Sequence, residues 1–394
     1  MHEFMKKATL ILCGLAMVIG SSLLAPAMEK ISAEYPSAPT ALLPLIITLP
    51  ALTLLIGLVA SSALSTKVPI KNLILSGLIL ILISGVGPYF VHSLYVIIIL
   101  RGILGIGLGM IMPLQTALFA EYAEAQRTVL IGANVTVNCI FGVLLFAAAG
   151  KLAEINWRLI FLLYAIFALI LVLAIIYIPQ RPLTPASTAP SASASAPSHR
   201  RLPASVFVYC FLIALVTLTG YVMTTIMANY LTIHQLGGAS EVGILTALAT
   251  AVSAIGGMLV PLVTKYLRNY ATPILILLCG LGFFCYTLTA SLGFVTLGHG
   301  LTGFAQGVLG CILTFKLTQV VALEQVSIAS SCYLATLFVS QFLSPYWLML
   351  HKNVLHLTSD AAAYTVYALV MVVLAAFAFF WMHREERSLS HARQ

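Results

Sequence analysis

Twelve apolar runs, each about as long as the hydrocarbon core of a bilayer is thick, constrain this chain more than any other feature. They fall at 8–28, 41–63, 72–91, 94–119, 128–149 and 158–178, then at 205–233, 241–263, 271–290, 294–318, 327–350 and 361–382. About 20 helical residues cross the roughly 30 Å core. Lipid offers no partner to a bare peptide group, so each run must close its own backbone hydrogen bonds as an α-helix. With 61% hydrophobic and 8% charged residues and a mean hydropathy of +1.07, the chain has more apolar surface than a water-soluble core of this length can hide. The expected fold is an all-α membrane protein of twelve transmembrane helices.

The runs come in two related sets of six. Arg101-Gly102-x-x-Gly105-x-x-x-Gly109 returns 198 positions later as His299-Gly300-x-x-Gly303-x-x-x-Gly307, and Lys67 and Lys265 keep the same offset. Two pseudo-symmetric six-helix halves, 1–178 and 205–382, thus flank a linker over 179–204, and 383–394 forms a tail. The linker is rich in Ser, Ala and Pro and too poor in large apolar residues to pack. Duplicated membrane bundles are the architecture of secondary transporters, whose substrate path lies between related halves.

The net charge of +8 is scattered in ones and twos between apolar runs rather than clustered on a nucleic-acid-binding face. It reports topology instead. With a cytoplasmic N-terminus, the inner set is Lys6, Lys7, Lys67, Lys71, Arg127, Arg181, Arg200, Arg201, Lys265, Arg268, Arg384, Arg387 and Arg393. The outer set is Lys30, Lys151, Arg158 and Lys352, so thirteen cations stand against four and the positive-inside rule is satisfied. Both termini and the linker are expected in the cytoplasm, with insertion in a bacterial inner membrane. Lys6-Lys7, the first apolar run and Ala25-Pro26-Ala27 imitate a signal peptide, but the run is long enough to span and is read as the first helix. All seven cysteines (Cys13, Cys139, Cys210, Cys279, Cys285, Cys311, Cys332) lie in apolar runs without C-x-x-C or Cys/His spacing, so neither disulfides nor a metal site is expected. Nor is any other cofactor.

Four local matches make the chain resemble the major facilitator superfamily over about 8–382. The loop Ser62-Ala63-Leu64-Ser65-Thr66-Lys67-Val68-Pro69-Ile70-Lys71 is similar to the family's Gly-x-Leu-Ala-Asp-Arg-x-Gly-Arg-Arg, with Thr66 for the acid and Pro69 for the second glycine. Leu100-Arg101-Gly102-x-x-Gly105-x-Gly107 resembles its arginine-glycine fourth helix. Gly20-x5-Pro26-Ala27-Met28-Glu29 is similar to a first-helix pattern of bacterial members, with Glu29 for the last proline. Gln341-Phe342-Leu343-Ser344-Pro345 and Asn156-Trp157-Arg158 are phrases that many members carry. The Gly-Pro motif of drug/proton antiporters is absent from Asn138-Cys139-Ile140-Phe141-Gly142-Val143-Leu144-Leu145. The resemblance implies a twelve-helix transporter that works as a monomer, similar to drug or metabolite:proton antiporters. It also implies that the charge latch of the second loop is altered.

Several residues are candidates for the substrate or proton path. Arg101, well inside the fourth helix, would cost roughly 2.5–3.5 kcal/mol unpaired; it either lines the path or braces helices through backbone carbonyls. Glu29 is one of only eleven acids. Desolvation favours the neutral form of a carboxyl, which suits a proton carrier, while the bland alternative pairs it with Lys30. His299, at the repeat position of Arg101, either relays protons or is solvated near the outer side. Lys316 is expected to snorkel, and Glu121 and Glu124 either pair with Arg127 or are solvated. Gln115, Asn134, Asn138, Tyr221, Asn229, Tyr230, Gln306 and Gln341 line a cavity or join helices by hydrogen bonds, as do Thr224, Thr225 and Tyr346. Gly102, Gly105, Gly109, Gly303 and Gly307 give smooth helix faces for close approach, and Lys67, Lys71, Lys265 and Arg268 mark the cytoplasmic gates. Pro26, Pro113, Pro261 and Pro345 should bend their helices.

The expected activity is secondary active transport by alternating access, with protons exchanged for an amphipathic small molecule leaving the cell. Proton-coupled uptake of a small organic anion, held by Arg101, is the alternative. No Gly-x-x-x-x-Gly-Lys-Ser/Thr loop is present for direct ATP use. A membrane-embedded transferase would need paired acids or a His/Asp constellation, and the sole aspartate is Asp360. A non-transporting sensor is the remaining alternative.

Overall fold

A computed structural model describes residues 2–20, 22–39, 41–180, 202–322, 325–355 and 360–392. Most of the linker expected over 179–204 and the cations Arg181, Arg200, Arg201 and Arg393 lie outside the described residues. Among the described residues the regular structure is helical throughout, with no strand. The first half of the chain carries α1 (His2–Cys13), α2 (Leu15–Ile19), a 3-10 turn (Ser22–Ala27), α3 (Met28–Glu34), α4 (Leu45–Leu64) and α5 (Ile70–Val86). A short 3-10 turn (Gly87–Phe90) leads to α6 (Leu94–Ala120), α7 (Glu124–Ile155), a longer 3-10 segment (Trp157–Ala165) and α8 (Ile166–Tyr177). The second half carries α9 (Ala204–Ile233), α10 (Ala239–Met258), α11 (Val260–Leu267), a 3-10 turn (Arg268–Tyr270), α12 (Ala271–Leu288), α13 (Leu292–Gln319), α14 (Val326–Val354) and α15 (Asp360–Ala392).

Eleven helical stretches among the described residues are long and apolar enough to cross a bilayer. The remaining run, 8–28, is broken: α1 and α2 meet at Gly14, and the chain tightens into a 3-10 turn that contains Pro26 before α3 carries it beyond the run. Proline removes a donor and clashes with the preceding turn, and glycine lowers the cost of departing from helix. Together they account for the break, which completes the set of twelve. Pro113 and Pro345 stay inside continuous helices. At Pro261 the helix is interrupted, and α10 gives way to α11.

The described chain forms two compact units, residues 1–197 with 237–247, and residues 198–236 with 248–394. The segment 237–247 joins unit 1 because glycines let backbones touch: a Cβ on Gly243 would stand 2.6 Å from the Phe146 carbonyl, and one on Gly150 2.8 Å from that of Ala239. Within unit 1, α4 and α6 pack along a glycine seam, where a Cβ on Gly57 would lie 2.0 Å from the Ile106 oxygen, on Gly105 2.3 Å from that of Pro50, and on Gly109 2.0 Å from that of Leu54. Gly102 meets only Leu49 and Thr53 side chains at ordinary distances. Ser61 reinforces the seam by donating to the Met110 carbonyl at 2.9 Å. In lipid no hydrophobic force drives helices together, so this close packing and these hydrogen bonds hold the pair. Unit 2 repeats the device between α10 and α13: a Cβ on Gly303 would come within 2.8 Å of the Ala249 oxygen and one on Gly307 within 2.3 Å of that of Ser253.

Candidate functional site

The fourth helix of the chain, α6, places Arg101 in the core of unit 1, where it is fully buried. Its guanidinium is a hub. Nε donates to the Ile46 carbonyl at 2.6 Å, Nη2 to the Gly20 carbonyl at 2.9 Å and Nη1 to the Tyr164 hydroxyl at 2.8 Å. Tyr164 in turn donates to the Ile19 carbonyl at 3.0 Å. The planar fork thereby ties α4, the 3-10 segment Trp157–Ala165 and the end of α2 to α6. Ile19 and Gly20 stand where the first helix breaks, so Arg101 and Tyr164 supply the donors that the break takes away. No acid takes part. Net contributions of roughly 1.5–3 kcal/mol for each charged hydrogen bond exceed the roughly 2.5–3.5 kcal/mol insertion cost of the charge.

Six residues before Gly20, Gly14 makes room for amides. A Cβ there would stand 2.1 Å from Asn134 Oδ1 and 2.9 Å from Gln115 Nε2. Gln115 Nε2 donates to the Leu10 carbonyl at 2.7 Å and to Asn134 Oδ1 at 3.0 Å. Asn138, four residues after Asn134 and so on the same face of α7, keeps a buried Oδ1 without a hydrogen-bond partner. A polar patch of three amides therefore joins α1, α6 and α7 and holds one unsatisfied acceptor.

Glu29 lies half-buried in the first turn of α3, just after the 3-10 turn. Lys30 does not pair with it; its Nζ donates to the Glu154 carbonyl at 2.7 Å. An acid outside the candidate residues does pair: Glu34 meets Arg158 Nη2 at 2.6 Å and accepts from Trp157 Nε1 at 2.6 Å. Arg158 also donates to the Val91 carbonyl and the Tyr35 hydroxyl. Partial burial works to raise the Glu34 pKa, but the hydrogen bonds of Arg158 and Trp157 and the charges of Arg158 and His92 overcome it and hold the carboxyl below its ordinary range. Asn156-Trp157-Arg158 was visible as a phrase, yet nothing in one sequence ties it to a residue 124 positions earlier. Tyr164 was likewise one tyrosine among many. At the other end of unit 1, the Tyr122 ring lies under Lys6 and Lys7, and its hydroxyl donates to Glu3 at 2.9 Å.

In unit 2 the repeat position of Arg101 holds a buried His299. Its Nδ1 is 3.4 Å from the Tyr286 hydroxyl, a long contact that joins α13 to α12. Tyr230 donates to the Tyr286 carbonyl at 3.0 Å, and Tyr230, Tyr286 and Tyr364 pack ring against ring, with His234 4.4 Å from Tyr230. His299 is thus part of a buried aromatic cluster, not a solvated outer residue. Gln306 lies over the α9 backbone, where a Cβ on Gly220 would meet its Nε2 at 2.0 Å. Gln341 is buried, Tyr221 half-buried and Asn229 exposed. Lys316 Nζ approaches Met382 Sδ at 3.0 Å. Of the gate cations, Lys67, Lys265 and Arg268 are exposed. Lys71 donates to the Ile175 carbonyl at 2.5 Å, and Lys265 lies over the Tyr266 ring. The structure brings Arg101, Gln115, Asn134 and Asn138 onto the helices of unit 1, and Tyr230 and His299 into one cluster of unit 2; it does not join Glu29 to any of them.

Comparison with known proteins follows the same lines. The family model of the Major Facilitator Superfamily matches residues 10–345. No curated protein sequence matches the chain. Similar solved structures include a bacterial homologue of the human lysosomal transporter Spinster, inward-facing and occupied, at 17% identity over 96% of each chain with a TM-score of 0.75. A D-xylose-proton symporter is similar at 18% identity over 96% of this chain and 97% of that one, TM-score 0.73. The inward-open xylose transporter XylE from E. coli is similar at 17% identity over 95% of each chain, TM-score 0.71. At such identities the likeness is one of fold.

Proposed function

The chain belongs to the Major Facilitator Superfamily, and from that premise we propose that it exports an amphipathic, uncharged or cationic small molecule in exchange for protons, by alternating access. One observation carries the choice of substrate class: the buried Arg101 commits all three of its nitrogens to two carbonyls and a tyrosine of its own unit. Uptake of an anion through Arg101 needs that cation free to hold it. Arg158 is taken by Glu34, and Lys30 and Lys71 by carbonyls. For recognition unit 1 offers the amide patch of Gln115, Asn134 and Asn138. Asn138 Oδ1, buried and unpartnered, accepts a hydroxyl, amine or amide hydrogen from the substrate, because a buried acceptor left empty costs roughly 1–3 kcal/mol.

In this reading Arg101 and Tyr164 hold the upstream edge of the break in the first helix, and α3 with Glu29 moves against that fixed edge as the bundle rocks. Glu29 carries the proton, and His299 is the second exchangeable group. The membrane is a bacterial inner membrane with both termini on the cytoplasmic side, in keeping with the distribution of Lys and Arg.

The test is flux in proteoliposomes under an imposed pH gradient, with a panel of lipophilic cations, neutral amphiphiles and small organic anions. Gradient-driven movement of cations or neutral amphiphiles supports the proposal. Movement of anions alone overturns it and returns Arg101 to the substrate path.

A further inference from the structure

A groove on unit 2 is unrelated to the path just described. It is a cavity of about 440 Å³ between α12 and α15, walled by Tyr270, Pro273 and Leu277 on one side and Val372, Ala376 and Phe380 on the other. All six are apolar or aromatic, and Ala376 is the smallest of them. At 1.5 Å per residue the walls run about 10 Å from Tyr270 to Leu277 and about 12 Å from Val372 to Phe380, roughly the outer third of a 30 Å hydrocarbon core. That is the depth of the first part of an acyl chain.

One end of the groove is closed by rings and followed by cations. Tyr270 stacks on Phe379 with centroids 5.6 Å apart, and Phe379 on His383 at 6.3 Å. Such aromatic groups sit at the membrane–water boundary. Arg268 stands two residues before Tyr270, exposed; Arg384 follows Phe380 by four residues, hence one turn further on the same helix face, and is also exposed. Arg268 takes φ +46°, a conformation that favours glycine. Neither arginine makes an ion pair among the described residues. The sequence around this end sets four cations, Lys265, Arg268, Arg384 and Arg387, against two acids, Glu385 and Glu386.

We propose that this groove is a binding site for an anionic phospholipid, its acyl chain in the trough between α12 and α15 and its phosphate held by Arg268 and Arg384. Guanidinium groups bind phosphate oxygens in bidentate fashion, and the excess of cations selects an anionic headgroup over a zwitterionic one. The occupant comes from the leaflet that meets Lys265, Arg268 and Arg384. A free phosphate ester does not suffice, because the groove supplies only apolar contacts.

Native mass spectrometry of the purified full chain, with added phosphatidylglycerol or phosphatidylcholine, tests this. The expected result is a one-to-one phosphatidylglycerol adduct favoured about tenfold over phosphatidylcholine, the scale of one charged hydrogen bond. R268Q/R384Q abolishes the preference while thermal unfolding stays at the wild-type temperature. Ala376→Leu, which fills the trough and leaves both arginines, also loses the adduct. Equal retention of the two lipids, a preference that survives R268Q/R384Q, or displacement by glycerol phosphate alone each overturns the proposal.

Discussion

Positions 101 and 299 are one site of an internal repeat, and the two units fill it in opposite ways. In unit 1 it holds a permanent cation whose fork reaches three other segments. In unit 2 it holds a histidine that touches a single hydroxyl at 3.4 Å inside a cluster of tyrosines. The surrounding glycine seams are alike, with Gly105 and Gly109 against α4 and Gly303 and Gly307 against α10. The packing scaffold is thus common to the two units while the polar group at its centre differs. The broken helix explains why: Gly20 and Ile19 present carbonyls that need donors, whereas α9 runs unbroken from Ala204 to Ile233 and asks for none. A guanidinium stands where backbone must be capped, and an imidazole where it need not be.

The contrast breaks most readily at Arg101. Arg101→Ala strips donors from two carbonyls and a tyrosine at roughly 1–3 kcal/mol each, so little folded protein is expected in size-exclusion profiles of the solubilised chain. His299→Phe, similar in volume, should cost under about 1.5 kcal/mol, and an equal collapse of both variants would erase the distinction. The shared scaffold gives the next effect: Gly109→Val and Gly307→Val should each lower thermal stability by about 1–3 kcal/mol through overpacking. Gly300→Ala, with nothing within 4 Å of its Cβ, should be neutral or stabilising by up to about 1 kcal/mol.

Asn138→Ala sharpens the functional side. Its unpartnered Oδ1 gives nothing to the fold, so the melting temperature should hold while the substrate KM rises several-fold. A drop in stability with unchanged KM would make it an ordinary interhelical group. A small effect belongs to Glu34→Gln, under about 1 kcal/mol for a partly exposed ion pair. Because the folded pKa of Glu34 is lowered, its contribution is complete above the ordinary carboxylate range and is lost as pH falls through the lowered value. Acid should therefore narrow the gap between wild type and Glu34→Gln in melting temperature.

The helices were legible in the sequence because a bilayer sets their length, and the glycine seams because spacing of three and four marks a face. Bends were less so: the apolar run at 8–28 hides a 3-10 turn, since hydropathy does not register which peptide groups lose a donor to Pro26. Arg101 stood out as a buried charge, but its partners are carbonyls of Gly20 and Ile46, and no side chain marks a carbonyl in a sequence. Glu34 and Arg158 are 124 residues apart, and only the fold brings them together. The same holds for Gly14, legible as a glycine and not as the floor under Gln115 and Asn134.

The central claim is that Arg101 is committed to the fold and the proton rides on Glu29. Its most direct test compares pH-gradient-driven export with substrate exchange at equal pH, for wild type and Glu29→Gln in proteoliposomes. The account predicts that the variant loses gradient-driven export and keeps exchange; gradient-driven export at the wild-type rate in Glu29→Gln would contradict it.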